Sequence, residues 1–399
     1  MERVVSEAQL TAAEVARRAG TTTPTLRRWV KQGLIPQYHG VWTPAACAHA
    51  RIVARLRERG HPLGQIRTAS LEGRLAFAYI QDLLPALESH CTLDEAARET
   101  GLEPALIERI FTTMGLPAGA SQRISADDLQ LLRYCAAMLA AGLPLIAFLQ
   151  LARVYGQALA QMADAAVRLF HLYVHEPLMR DGVPGLQMAE EMEGLASEVL
   201  PLASPVMDHV HRRFLAHFVE QDVIGHMETD LDAGAPLDLG RLRVAIAFAD
   251  LAGYTRMTEE QGDEEAVGAV ERFIENVGHT LPEEARIIKT IGDEVMIVGS
   301  DPATLVDWAV GFQELHATRP LPRIGVHFGE TLYRDGDYYG REVNQAARVA
   351  ARSAGGEVLV TRPVVQAAGP HLHFELIGEV RLKGFTEATE LFLARAAQD

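Results

Sequence analysis

Two aspartates stand where strands should end. Asp250 follows the apolar run Leu242–Phe248 in the word Phe248-Ala-Asp-Leu-Ala-Gly-Tyr-Thr255, and Asp293 sits in the turn of Lys289-Thr-Ile-Gly-Asp-Glu-Val295. Hard divalent cations bind carboxylate oxygens and accept water or phosphate in the remaining positions, so this pair suits Mg2+. On neighbouring strand ends, two carboxylates could hold two ions, one for each oxygen exchanged in an in-line displacement. Gly253, in the turn after Asp250, would let backbone N–H groups approach a polyphosphate. Farther along, Asn344 and Arg348 are spaced i,i+4, which places both on one face of a helix. Taken singly these signals are ambiguous, because an aspartate in a turn is more often a turn-former than a ligand.

Such residues need strands to bring the carboxylates together and a helix to carry the Asn–Arg pair. The run from Leu242 to Phe248 is strand-like, and strands also fit 285–291, 294–298, 323–328 and 357–361, with a turn at Gly292-Asp293. Helices fit 264–277, where Val267, Val270, Phe273, Ile274 and Val277 share a face, and also 303–316 and 343–352. Alternating strands and helices with one hairpin predict an α+β domain over 241–399. The Asp-, Gly- and Pro-containing stretch ahead of it reads as a linker over 226–240.

The first half is helical and contains an internal repeat. Thr11-Ala-Ala-Glu-Val-Ala-Arg-Arg-Ala-Gly20 aligns with Thr92-Leu-Asp-Glu-Ala-Ala-Arg-Glu-Thr-Gly101, and Gly33-Leu34-Ile35-Pro36 with Gly115-Leu116-Pro117. Trp42-Thr43-Pro44 then matches Ile124-Ser125-Ala126, and Gly60-His61-Pro62-Leu63 matches Gly142-Leu143-Pro144-Leu145. Each copy reads as a helix-turn-helix followed by a longer helix with Thr43 or Ser125 as its N-cap. Arg17, Arg18, Arg27, Arg28 and Lys31 make the first copy basic, whereas Glu99 and Glu108 make the second unsuited to phosphate. DNA contact through Arg17, Arg27, Arg28 and Lys31 is one reading of the first copy, and a solvated or interdomain face is the other. The stretch 151–223 is helical as well, with apolar residues at helical spacing.

Of the 399 residues, 37 are basic and 53 acidic, a net charge of −16, so the chain as a whole is no nucleic-acid binder. Cys47, Cys91 and Cys135 lie far apart, which predicts reduced thiols, a cytoplasmic location and no zinc site. The chain starts without an apolar leader. The uncharged stretch 134–152 is broken by Gly142-Leu143-Pro144 and reads as two buried helices, with no membrane span.

Five words occur in the order found in class III nucleotidyl cyclases. They are 248–255 and 289–295 above, Arg-Ile-Gly-Val-His-Phe-Gly-Glu (323–330), Asp-Tyr-Tyr-Gly-Arg-Glu-Val-Asn-Gln-Ala-Ala-Arg (337–348) and Leu-Lys-Gly (382–384). The chain resembles that family over 241–396, and the likeness implies a ferredoxin-like catalytic domain. It also implies that Asp250, Asp293 and the Leu251 carbonyl bind two Mg2+ or Mn2+ ions per site. Lys289 and Asp337 would read the purine, Asn344 would orient the ribose, and Arg348 would stabilise charge on the phosphate. Lys383 would contact the terminal phosphates, beside the turn Gly253-Tyr254-Thr255. A donor and an acceptor are complementary to the adenine edge and mismatched to guanine, so the pair predicts ATP as substrate and cyclic AMP as product. The short stretch between Gly329 and Asp337 resembles the short-arm bacterial subgroup, and Phe328 is bulkier than the residue usual there. The family further implies a head-to-tail homodimer with two shared sites.

The first copy resembles the winged helix-turn-helix of MerR-type regulators, and residues 46–225 resemble helical regulatory domains of pH-responsive mycobacterial cyclases. The expected organisation is a MerR-like domain over 1–75, a regulatory domain with the degenerate second repeat over 76–225, the linker 226–240 and the cyclase domain 241–399. His209, His211, His217 and His226 near the linker are candidate pH sensors, and the apolar helices could instead hold a small apolar ligand. The competing expectation is a DNA-binding regulator that uses a cyclase-like domain as a nucleotide sensor.

Overall fold

The structure, a computed structural model, describes residues 10–35, 42–76, 90–117, 119–183, 185–231, 241–316 and 319–397. Pro36 and residues 232–240 of the expected linker lie outside them. The chain divides into two compact units, 1–214 and 215–399.

The first unit carries the repeat in its capping chemistry. Helices α1 (Ala12–Arg18), α2 (Thr23–Lys31), α3 (Pro44–Glu58) and α4 (Leu63–Leu71) are followed by α5 (Leu93–Thr100), α6 (Pro104–Thr113), α7 (Ala126–Ala140) and α8 (Leu145–Phe170). Thr11 and Thr92 close the same capping box: each hydroxyl accepts from the backbone N–H of Glu14 or Glu95. The glutamate returns the bond to the threonine N–H at 2.8 Å. Caps of this kind contribute about 1 kcal/mol each. Thr43 and Ser125 cap α3 and α7, and the bridges Leu10–Trp42 and Cys91–Ile124 tie each copy in the same place. Buried Leu26 and Trp29 of one core stand where Ile107 and Ile110 stand in the other.

After α8 the chain makes a π-helical turn at His171–His175, then α9 (Glu176–Arg180) and α10 (Gly185–Leu231), a helix of 47 residues. Pro201 and Pro205 lie inside α10, where each removes a backbone donor, yet the helix continues through both and takes up the first residues of the expected linker. The stretch 134–152 is the end of α7, a turn with Gly142 at φ +102, and the start of α8. Among the described residues no helix is long and apolar enough to cross a membrane.

The second unit continues with β1 (Arg241–Leu251), α11 (Tyr254–Gln261), α12 (Asp263–Thr280), β2 (Ala285–Ile291), β3 (Glu294–Gly299) and α13 (Pro302–Leu315). Then come β4 (Pro322–Arg334), β5 (Asp337–Tyr339), α14 (Arg341–Ala350), β6 (Val358–Thr361), α15 (Arg362–Ala367), β7 (Leu372–Arg381) and β8 (Ala388–Ala396). The sheet order is β2-β3-β1-β4-β6-β8-β7, with β5 paired to β4. Its first four strands with α12 and α13 form the β-α-β-β-α-β arrangement of a ferredoxin-like core, so the domain is α+β as expected. Strand β1 is buried on both faces, which explains its unbroken apolar run. Ala245, Ala247 and Ala249 face Phe273, Trp308 and Phe312. Val244, Ile246 and Phe248 share the other core with Ala346 and Ala350 of α14. The short arm is a hairpin in which β4 returns as β5 through Asp335 (φ +53) and Gly336 (φ +79), two positive φ values typical of a tight two-residue turn.

Candidate active site

Strand β1 ends in Asp250, and the β2–β3 turn, with Gly292 at φ +65, presents Asp293 beside it. Burial first, and the Asp250 charge second, push the Asp293 carboxyl up from 3.8 to about 6, with Arg323 partly opposing them. Glu294 is raised by its burial and by the same two aspartates. Strand pairing sets Arg323 opposite Asp250, and its Nη2 donates to Asp250 Oδ2 at 2.5 Å. Asp250 Oδ1 is buried and receives no hydrogen bond. A protonated Asp293 could donate to Asp250, but two ionised carboxylates cannot satisfy each other, so near neutral pH that oxygen lacks a partner. Three acids against one guanidinium form a half-buried negative site that a divalent cation would neutralise. Among the described residues no three His, Cys, Asp or Glu side chains form a metal cage, so the aspartate pair leaves most positions to water and phosphate.

Lys289 on β2 and Asp337 at the start of β5 form an ion pair. Asp337 is fixed further by accepting at Oδ1 from the Tyr338 N–H at 2.8 Å, and Arg286 donates to the Tyr338 hydroxyl at 2.8 Å. Asn344 and Arg348 are exposed along α14. Arg348 shares a cleft of about 560 Å3 with Lys383, Arg352, Glu379 and Arg381. Gly253 (φ +86) precedes α11 and offers no side chain to its first N–H groups, leaving that helix start open to an anion. Tyr254 packs on the core and Thr255 is exposed. The candidates thus fall into pairs: Asp250 with Asp293, Lys289 with Asp337, and Arg348 with Lys383. Phe328 is a platform for Arg243, whose guanidinium lies 4.7 Å from the ring centre.

In the first unit, Arg17, Arg27, Arg28 and Lys31 are exposed on α1 and α2. In the second copy Arg133 forms an ion pair with Glu99, where the first copy has Arg51 and Arg18. Of the candidate pH sensors, His209, His211, His217 and His226 all belong to α10, and at about 100° per residue the first three leave its axis in three different directions. His209 and His211 are exposed and His217 is half-buried, with His211 edge-on to Tyr155 at 5.9 Å; the side chain of His226 lies outside the description. The histidines that do meet are His171 and His175, their Nδ1 atoms 3.1 Å apart. His175 Nε2 lies 3.4 Å from the Gly73 carbonyl oxygen, and burial holds this ring below the usual histidine range. Sequence reasoning gave no role to Arg323 or His327, although both stand in the word 323–330; the role of Arg323 follows from its register opposite Asp250, and His327 is buried beside the flagged Phe328.

Three family profiles match the chain: "Adenylate cyclase regulatory domain" over 36–219, "Adenylate and Guanylate cyclase catalytic domain" over 241–395, and "MerR family regulatory protein" over 11–40. An adenylate cyclase of Streptomyces coelicolor is 30% identical over 287 residues, 70% of this chain and 72% of its own. A pH-sensitive adenylate cyclase of Mycobacterium tuberculosis is 29% identical over 363 residues, 88% of this chain and 89% of its own. Among solved structures, the adenylyl cyclase CyaB of P. aeruginosa aligns with 20% identity and a TM-score of 0.37, over 40% of this chain and 96% of its own.

Proposed function

The chain belongs to the adenylate cyclases that carry an N-terminal regulatory domain, and from that premise we propose how its residues turn ATP into 3′,5′-cyclic AMP and pyrophosphate. Asp250, Asp293 and the Leu251 carbonyl would hold two Mg2+ or Mn2+ ions. The buried Asp250 oxygen without a donor is the observation that carries this assignment. Bound there, the ions would supply Lewis acidity to the ribose 3′-oxygen and neutralise the departing pyrophosphate. Lys289 donates to the adenine ring nitrogen, and Asp337, held by the Tyr338 N–H, accepts from the exocyclic amino group. Asn344 holds the ribose so that its 3′-oxygen lines up with the α-phosphate. Arg348 meets the charge that grows on that phosphate with a planar donor set that stays ionised. Lys383 and the open start of α11, at Gly253, Tyr254 and Thr255, hold the terminal phosphates.

The exposed Asn344 and Arg348 are available to a second copy, in keeping with a head-to-tail homodimer in which each site takes Asp250 and Asp293 from one chain and Lys289, Asp337, Asn344 and Arg348 from the other. We assign 1–75 to the MerR-like module, 76–225 to regulation, 226–240 to the linker and 241–399 to catalysis. Cys47, Cys91 and Cys135 form no disulfide, and with Cys47 and Cys135 buried they fit a reducing cytoplasm. The pH-sensitive relative supports pH as an input, for which the touching His171 and His175 are better placed than the dispersed histidines of α10. The test is cyclic AMP formation from ATP with Mn2+. Wild type should be active, Asp250→Ala inactive and GTP a poor substrate; an inert wild type under every divalent ion would overturn the assignment.

A further inference from the structure

Strand β4 meets α14 through three alternate residues, Gly325, His327 and Gly329, which share one face because side chains alternate along a strand. His327 is 3% exposed, and its two ring nitrogens are both engaged. Nδ1 lies 2.8 Å from the hydroxyl of Thr361, itself buried at the end of β6. Nε2 lies 2.5 Å from Oε2 of Glu342, in the first turn of α14. The glycines on either side make room for this contact. A Cβ at 329 would sit 2.9 Å from the Glu342 carboxylate, and one at 325 would fall 2.1 Å from the Ala350 backbone nitrogen at the far end of the helix. Burial keeps His327 below the usual histidine range although Glu342 pulls the other way; Arg341 acts with burial. An uncharged ring donating Nε2–H to Glu342 leaves Nδ1 to accept from the Thr361 hydroxyl, so one tautomer satisfies all three groups.

We propose that the Thr361–His327–Glu342 chain is a positioning device that sets the rotation of α14 on the sheet and thereby aims Asn344 and Arg348 at the reacting phosphate. The inference rests on the cyclase assignment above and goes beyond it, since none of the three side chains touches substrate. Asn344 and Arg348 leave the helix about 200° and 240° around from Glu342, so the bolt and the working face are on opposite sides. A roll of about 20° would move a guanidinium some 6 Å from the axis by about 2 Å. The hydrophobic contacts of Ala346, Val349 and Ala350 resist translation of the helix, but small methyl surfaces resist rolling poorly. A directional bond at the first turn supplies that resistance.

Steady-state kinetics of the full-length chain with ATP and Mn2+ test the device. Glu342→Ala should lower kcat by about tenfold to a hundredfold and leave KM for ATP within about twofold, because the misaimed groups act on the transition state. Glu342→Gln keeps an acceptor for Nε2–H and should recover most of that loss. Thr361→Val keeps the volume, removes the hydroxyl and should lower kcat by about threefold; it decides the matter if Glu342→Ala fails to fold. An active wild type with unchanged kcat in Glu342→Ala and Thr361→Val, a loss confined to KM, or Glu342→Gln no better than Glu342→Ala would overturn the device. An inactive wild type would instead remove the cyclase assignment.

Discussion

Replacing Asp293 by Asn should make the metal-free protein more stable while abolishing its chemistry. In the folded chain the Asp293 carboxyl holds its proton up to about pH 6 instead of 3.8, chiefly because it is buried and then because Asp250 is beside it. The folded state therefore binds that proton more tightly than the unfolded state. Stability conferred by the group is present below its unfolded pKa, is lost as the pH rises through the window from 3.8 to about 6, and is flat above it. At about 1.4 kcal/mol per pH unit, a fully shielded group would cost the ionised protein about 3 kcal/mol. Asp293 is only partly buried, so screening by solvent reduces this to about 1 kcal/mol. Asparagine carries no charge and escapes the cost. In scanning calorimetry of the full chain with EDTA at pH 8, the variant's catalytic-domain transition should lie about 2–4 °C above wild type. By pH 4 the advantage should largely vanish, because the wild-type carboxyl is then mostly protonated in the folded state. A variant that melts at or below wild type at pH 8, or a gap of equal size at both pH values, would refute the reasoning.

Mixing an Asp250→Ala chain with an Arg348→Ala chain should restore one working site per heterodimer, so that two inactive preparations together regain up to about a quarter of wild-type activity; no recovery would count against shared sites. Asp337→Ala leaves Lys289 without its partner and removes the acceptor for the adenine amino group. Its preference for ATP over GTP, measured as the ratio of kcat/KM values, should fall by about tenfold or more. Gly325→Ala forces a methyl group into the Ala350 backbone, 2.1 Å from its nitrogen, and should lower stability in urea by at least about 1–3 kcal/mol. An unchanged unfolding midpoint would mean that α14 does not lie this close to β4.

Strong local signals made much of this architecture legible in the sequence. The repeat was readable because its punctuation is chemical: Thr11 and Thr92 cap, Glu14 and Glu95 return the bond, and Gly20 and Gly101 mark the helix ends. Strand β1 was readable because two covering layers demand an unbroken apolar run. The elements that escaped notice have weaker local patterns. Strand β5 is three residues long and owes its existence to the Asp335-Gly336 turn. Strand β7 alternates poorly and shifts register between Leu376 and Gly378. Helix α10 was read only as part of a helical stretch over 151–223, without its bounds; it runs as one element through Pro201 and Pro205 to Leu231. In the site, residues tied to recognisable words were named from the sequence. Arg323 and the His327–Glu342 contact depend on which strand lies beside which, and spacing along the chain carries no such information.

The packing around β1 has a consequence for control. Small side chains on one side of the strand accept bulky aromatic rings, and bulky side chains on the other accept a helix floored with alanine. A strand gripped in this way has no slack, so Asp250 cannot be nudged out of line without prising apart a close-packed interior. An incoming signal therefore has little leverage on the carboxylates themselves. In the homodimer proposed above, its low-cost route would be to bring two finished, stiff catalytic bodies into or out of alignment, as a key is turned without being bent.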